Sequence, residues 1–152
     1  MSYNSLIIAN YIIAQCNIKQ LDISNLRLQK ILYYVQGYFL KFYDERAFDS
    51  GIFNWPYGPV VPDVYFEYCV YGSNKITIDD DLIEISSTKI KNKKHKKLIN
   101  EIIEKCNNYT PGELVGLTHQ EKPWKETSRS KEIPILKIQN YFGTENPLNI
   151  SK

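Results

Sequence analysis

Nine residues, Asn54-Trp55-Pro56-Tyr57-Gly58-Pro59-Val60-Val61-Pro62, constrain this chain more than any other stretch. The prolines fix φ and remove backbone donors, and the glycine among them tolerates positive φ. Neither a helix interior nor a central strand accommodates that pattern. It predicts a stiff turn that displays Trp55 and Tyr57 and then launches a helix at Pro62. A turn ordered before its partner arrives loses little entropy on docking, which favours recognition. The plainer reading makes Trp55 a core plug held by a rigid corner.

The remaining pattern is mostly helical. Apolar residues recur at helical spacing over residues 3–16, and again over 24–43, where Ser24 is a suitable N-cap. In the second segment Leu28, Leu32, Val35, Phe39 and Phe42 form one stripe, with Arg27, Lys30, Tyr34 and Lys41 on another side. So little plain solvent face predicts a central helix. Gly37 inside it implies close approach of another element, for which the proline-rich turn is the candidate. A hairpin or irregular loop is expected over Ala47–Trp55, with its turn at Asp49-Ser50-Gly51. Gly72 is a stop signal for the helix opened by Pro62. Alternation through Ile76, Ile78, Leu82, Ile83 and Ile85 predicts a second strand pair or extended excursion. Further helices are expected over 92–106, from the Thr110-Pro111-Gly112-Glu113 capping box to about Leu117, and from Pro134 to about Phe142. The fold expected is thus mainly α with a minor β element, one domain over 1–143 and a flexible tail over 144–152. A chain of 152 residues in one domain buries roughly 70% of its unfolded surface.

Composition excludes several classes. Net charge is +2, so the chain as a whole argues for neither nucleic acid nor an anionic membrane. No apolar run approaches the ~20 residues of a membrane helix, and no secretion signal is visible, so a cytoplasmic protein is expected. Cys16, Cys69 and Cys106 are widely spaced, without a CxxC pair, and read as buried thiols rather than zinc ligands or disulfides. Twelve tyrosines suit either an interaction surface or a core whose hydroxyls find partners.

Two further stretches carry chemistry. Lys89, Lys91, Lys93, Lys94, Lys96 and Lys97 surround His95; lysines at a helix N-terminus oppose its dipole, so they point to solvent, to an acidic partner or to phosphates. Thr118-His119-Gln120-Glu121-Lys122-Pro123-Trp124 sets His119 two residues from Glu121, an arrangement suggestive of acid–base work. With no recognisable nucleophile nearby, the expectation is instead that Thr118 or His119 caps a helix and Trp124 packs back on the core. No catalytic residue, metal or cofactor is expected.

Leu28-Gln29-Lys30-Ile31-Leu32-Tyr33-Tyr34-Val35-Gln36-Gly37, Phe48-Asp49, the 55–65 turn, Tyr71-Gly72, and the block Leu114, Leu117-Thr118-His119, Pro123-Trp124-Lys125 together resemble the Panacea domain. That antitoxin family includes SocA-type proteolytic adaptors and phage-associated GepA-like proteins. Pro56 departs from it, since the family more often has a polar or basic residue there. The resemblance implies a mostly helical fold with a small β element, no catalysis, and neutralisation of a cognate protein toxin by direct binding. One branch also delivers its toxin to an ATP-dependent protease. Trp55, Tyr57, Gly58, Pro59, Val60, His119 and Trp124 are the candidate partner-binding residues. Tyr33, Gln36, Gly37, Pro62, Tyr65 and Gly72 are the candidate structural motif, and the whole motif could equally be a scaffold shared among toxins. Rival readings are a nucleic-acid-binding regulator acting through Lys89–Lys97 and a hydrolase using His119 and Glu121.

Overall fold

A computed structural model of the chain describes residues 2–152. Its spine is α2 (Asn25–Tyr43), against which α1 (Ser5–Ile18), α3 (Pro62–Tyr68), α5 (Lys93–Cys106), α6 (Pro111–His119), α8 (Ile135–Thr144) and a small hairpin all pack. The α2 N-terminus is fixed by Ser24, whose hydroxyl accepts the Arg27 N–H at 3.2 Å. Its other end is closed by Asp44 in the left-handed conformation. Almost every residue from Asn25 to Leu40 is buried, as the lack of a solvent face foretold. The supposed polar side also turns inward. Lys30 is fully buried, and Arg27 reaches the Cys106 carbonyl at 2.8 Å. The architecture is mainly α, with one two-stranded antiparallel sheet among the described residues.

The sheet lies later than the sequence suggested. β1 (Phe53–Trp55) pairs with β2 (Gly58–Val60) around a two-residue Pro56-Tyr57 loop, not around Asp49-Ser50-Gly51. Residues 47–52 instead run alongside Gln36, whose side-chain carbonyl accepts the Ala47 N–H at 2.7 Å and whose amide donates to the Phe48 carbonyl at 2.8 Å.

Four other expectations are corrected. The predicted second strand pair is α4 (Asp80–Thr88), because Asp79 caps it by accepting the Leu82 N–H at 2.8 Å and the acidic residues beyond suit its first turn. The close neighbour of Gly37 is the Phe142 ring of α8, not the proline-rich turn. Residues 144–152 are not free, since Leu148 and Ile150 are buried, the Tyr38 hydroxyl donates to Asn146 at 2.5 Å and accepts the Leu148 N–H at 2.9 Å. Cys69 is exposed, while Cys16 and Cys106 are buried. The capping box at Thr110 and Glu113 forms with both bonds in place.

Much of the tyrosine content is core. Tyr11, Tyr33, Tyr34 and Tyr38 are among the largest fully buried side chains, and each hydroxyl has a partner. No helix among the described residues is long and apolar enough to cross a membrane.

Candidate functional site

The hairpin is held to the spine by an interior set of polar bonds. Gln29 accepts the Val61 N–H at 2.8 Å and donates to Asn25, whose amide reaches the Tyr65 carbonyl at 3.1 Å. Lys30 Nζ donates to the Pro59 carbonyl at 3.2 Å, and burial pushes this ammonium down to about 7. Gly58 makes that approach possible. Its φ is +109°, and a Cβ there would stand 2.7 Å from Lys30 Cε and 2.8 Å from Thr118 Oγ1. The glycine is therefore required twice, by backbone conformation and by close packing of α2 and α6.

A second lock joins the hairpin to the segment after α6. Trp124, in the short helix α7 (Lys122–Lys125), donates its indole N–H to the Trp55 carbonyl at 2.9 Å. Asn54 donates to the carbonyls of Trp124 and Thr127 at 2.8 and 2.9 Å. His119 stacks on Trp124 with ring centroids 3.9 Å apart. The end of α6 is capped at Gln120, while the Thr118 hydroxyl turns back to the Val115 carbonyl. Glu121 is buried and accepts the hydroxyls of Tyr33 and Tyr34 at 2.8 and 2.7 Å. Burial raises its carboxyl to about 7, against the smaller opposing effect of those two bonds. Both tyrosines are raised well above their usual range, first by burial and then by the carboxylate. The two suspected acid–base groups are thus committed to packing and to an internal clasp.

With its inner face so fastened, the hairpin turns an aromatic surface outward. Trp55 meets Tyr65 and Phe66 of α3 edge-on, with centroids 5.1 and 6.0 Å apart. Phe66 is 64% exposed and Tyr57 69% exposed. Below them opens a groove of 440 Å³ whose walls include Leu26, Trp55, Tyr57, Val60, Tyr65 and Cys69, with no charged side chain in the lining. Pro62 opens α3 at its first turn, and Gly72, at φ +58°, closes the 3-10 turn Cys69–Tyr71.

The structure therefore divides the sequence candidates. Trp55, Tyr57 and Val60 share the groove. Gly58 and Pro59 face the interior, and His119 and Trp124 brace the hairpin from behind. Tyr33 and Gln36 serve as internal clasps, Gly37 admits Phe142, and Tyr65 is both scaffold and groove wall. Sequence reasoning missed Phe66, whose place one position beyond Tyr65 on a helix opened by Pro62 was the available signal. It also missed Lys30, Asn54 and Gln29, whose roles depend on distant carbonyls and amides. Among the described residues, no group of three His, Cys, Asp or Glu side chains could hold a metal.

A family model described as "Antitoxin SocA-like, Panacea domain" matches residues 28–125, well over half of the chain. The chain belongs to this antitoxin-like family. No curated protein and no solved structure matches it. The matched span runs from the first turns of α2 to the end of α7, so it contains both sides of the hairpin lock.

Proposed function

We propose that this member of the Panacea antitoxin family neutralises a cognate protein toxin in the cytoplasm by direct binding, without catalysis, and that the hairpin–α3 groove is the centre of the contact. The observation that carries the reading is the aromatic surface of exposed Tyr57 and Phe66 beside half-buried Trp55, on an internally fastened support. Large exposed aromatics beside an uncharged groove are the composition of interface hot spots, and their preset geometry keeps the entropic cost of docking low. The family's general antitoxin role supports a toxin as the partner. A stable complex would bury at least about 1,000 Å² in total, so the groove would be its core and neighbouring helices its rim.

The test is a screen of small toxic reading frames next to this gene for one that co-expression neutralises, paired with titration of the purified proteins. Tyr57→Ala and Phe66→Ala remove exposed rings and leave the internal locks intact. Each is expected to weaken binding by about 1–2 kcal/mol, and the double variant to fail in neutralisation. A folded double variant that protects cells as well as the parent would refute the groove as the contact.

A further inference from the structure

The six lysines singled out in the sequence remain unused by the site above, and the structure gives them a setting. Asn92 caps α5, accepting the Lys94 and His95 N–H groups at 2.9 and 3.1 Å. Lys93, Lys94 and Lys97 are exposed on its first turns, adding their charge to the positive end of the helix dipole. No ion pair neutralises them among the described residues; the pair seen there joins Lys19 to Glu104. Lys94, Lys97 and Lys152 rim a groove of 290 Å³ whose walls include Phe42, Tyr43 and Leu98. The positive rim thus stands over an apolar floor. A lysine run that merely kept the surface solvated would need no such floor.

The groove is distant from the hairpin. Leu26 lines the hairpin groove and Tyr43 this one. They stand at opposite ends of α2, about 26 Å apart at 1.5 Å per residue. One short segment of a partner cannot fill both.

We infer that this lysine-rimmed groove is a second interaction surface, one that takes an acidic protein segment bearing a large apolar side chain. The apolar side chain lies on Phe42, Tyr43 and Leu98 while flanking carboxylates meet Lys94 and Lys97. A nucleic-acid strand fits the groove less well. Glu101 shares its lining and repels any anion beside it, which a segment with two spaced carboxylates avoids and a strand with a phosphate at every nucleotide does not. Tyr43 is packed against Phe39 and His95, with centroids 5.5 and 5.1 Å away, and so is not the free platform on which bases stack. The inference does not rest on toxin neutralisation, because the hairpin groove contributes none of these residues.

The probe is a fluorescently labelled peptide with a central phenylalanine between glutamates, followed by anisotropy against the whole chain. Binding is expected, and should weaken about tenfold on raising salt from low to physiological ionic strength. The Lys94→Glu/Lys97→Glu variant should lose at least tenfold in affinity. Glutamates suit that end of a helix, so the variant keeps its fold, which thermal melting checks. A peptide with serine in place of phenylalanine should also bind at least tenfold more weakly, and Phe66→Ala should leave binding unchanged. The inference is overturned if the peptide does not bind, if charge reversal or the serine peptide makes no difference, if Phe66→Ala abolishes binding, or if single-stranded oligothymidylate binds as tightly as the peptide.

Discussion

Gly58 and Gly72 both hold positive φ, yet they should respond differently to an added methyl group. At Gly58 the new Cβ runs into Lys30 and Thr118, while nothing lies within 4 Å of the one at Gly72. Gly58→Ala is expected to cost about 2–3 kcal/mol from backbone strain and displaced neighbours together. Gly72→Ala should cost about 1–2 kcal/mol, the backbone part alone, since φ +58° with ψ −126° is a conformation that suits glycine. Urea unfolding measures both, and equal losses would mean that the close approach of hairpin, α2 and α6 contributes nothing. Lys30 and Glu121 lead to a second residue-scale expectation, in which pH acts in opposite senses. Glu121 keeps its proton in the fold up to about 7, whereas the unfolded carboxyl loses it near 4.5. Its contribution is complete below 4.5 and lost as pH rises to 7. Lys30 loses its proton in the fold near 7 but keeps it unfolded to about 10.5. Its contribution is complete above 10.5 and lost as pH falls to 7. Each slope reaches at most about 1.4 kcal/mol per pH unit, so unfolding free energy should pass through a minimum near neutrality. Glu121→Gln should flatten the acid limb and Lys30→Met the alkaline limb. A profile unchanged in either variant would show that the corresponding group is not the cause.

At the scale of elements, α8 and the chain beyond it act as one clamp on α2. Phe142 fills the space left by Gly37, Lys41 donates to the Phe142 and Glu145 carbonyls at 2.8 and 3.1 Å, and Leu148 and Ile150 complete the cover. Deleting residues 146–152 removes both apolar side chains, uncovers the core beneath them and leaves the Tyr38 hydroxyl without its partners. The expected loss is about 2–4 kcal/mol in urea unfolding; an unattached tail would cost nothing. These residues also mark what local patterns can and cannot reveal. Ser24 before the α2 stripe, Pro62 at the first turn of α3 and the Thr110–Glu113 box were legible because capping and proline rules act within a few residues. The tail was not, because its burial depends on Tyr38, more than a hundred positions earlier. The 76–85 stretch fits both a period of two and a helical spacing, and the Asp79 cap decided it. Among site residues, Trp55, Tyr57 and Val60 could be grouped from their nearness in sequence. Lys30 could not, since a lysine is ordinarily solvated and only the Pro59 carbonyl, brought in by the hairpin, gives it an interior partner.

Across the whole molecule, stability should be unevenly spread, with consequences for which parts are free to vary. The two halves of the family match meet on α2, through Gln29 and Lys30 on one side and Tyr33, Tyr34 and Glu121 on the other. α4 lies outside this arrangement. It packs mainly on α1, buries only Ser86 among its own residues, and leaves Leu82 and Ile85 exposed. Its connections to the remainder are short: the Ile76 N–H bonded to the Ile23 carbonyl at 2.7 Å, and Asn17 holding the backbone of Ile76 and Ile78. Opening α4 uncovers the α1 face it covers but little apolar surface of its own, whereas opening α2 exposes the core from every direction. Native-state hydrogen exchange should show α4 amides exchanging through local opening well below the global unfolding free energy, with those of α2 exchanging only through global unfolding. Equal protection across α2 and α4 would make the fold a single cooperative unit and remove the distinction. If the ordering holds, polar replacement of the exposed Leu82 and Ile85 should leave the hairpin groove intact, because the bonds that fix that groove are made by α2, α3, the hairpin itself and residues 124–131.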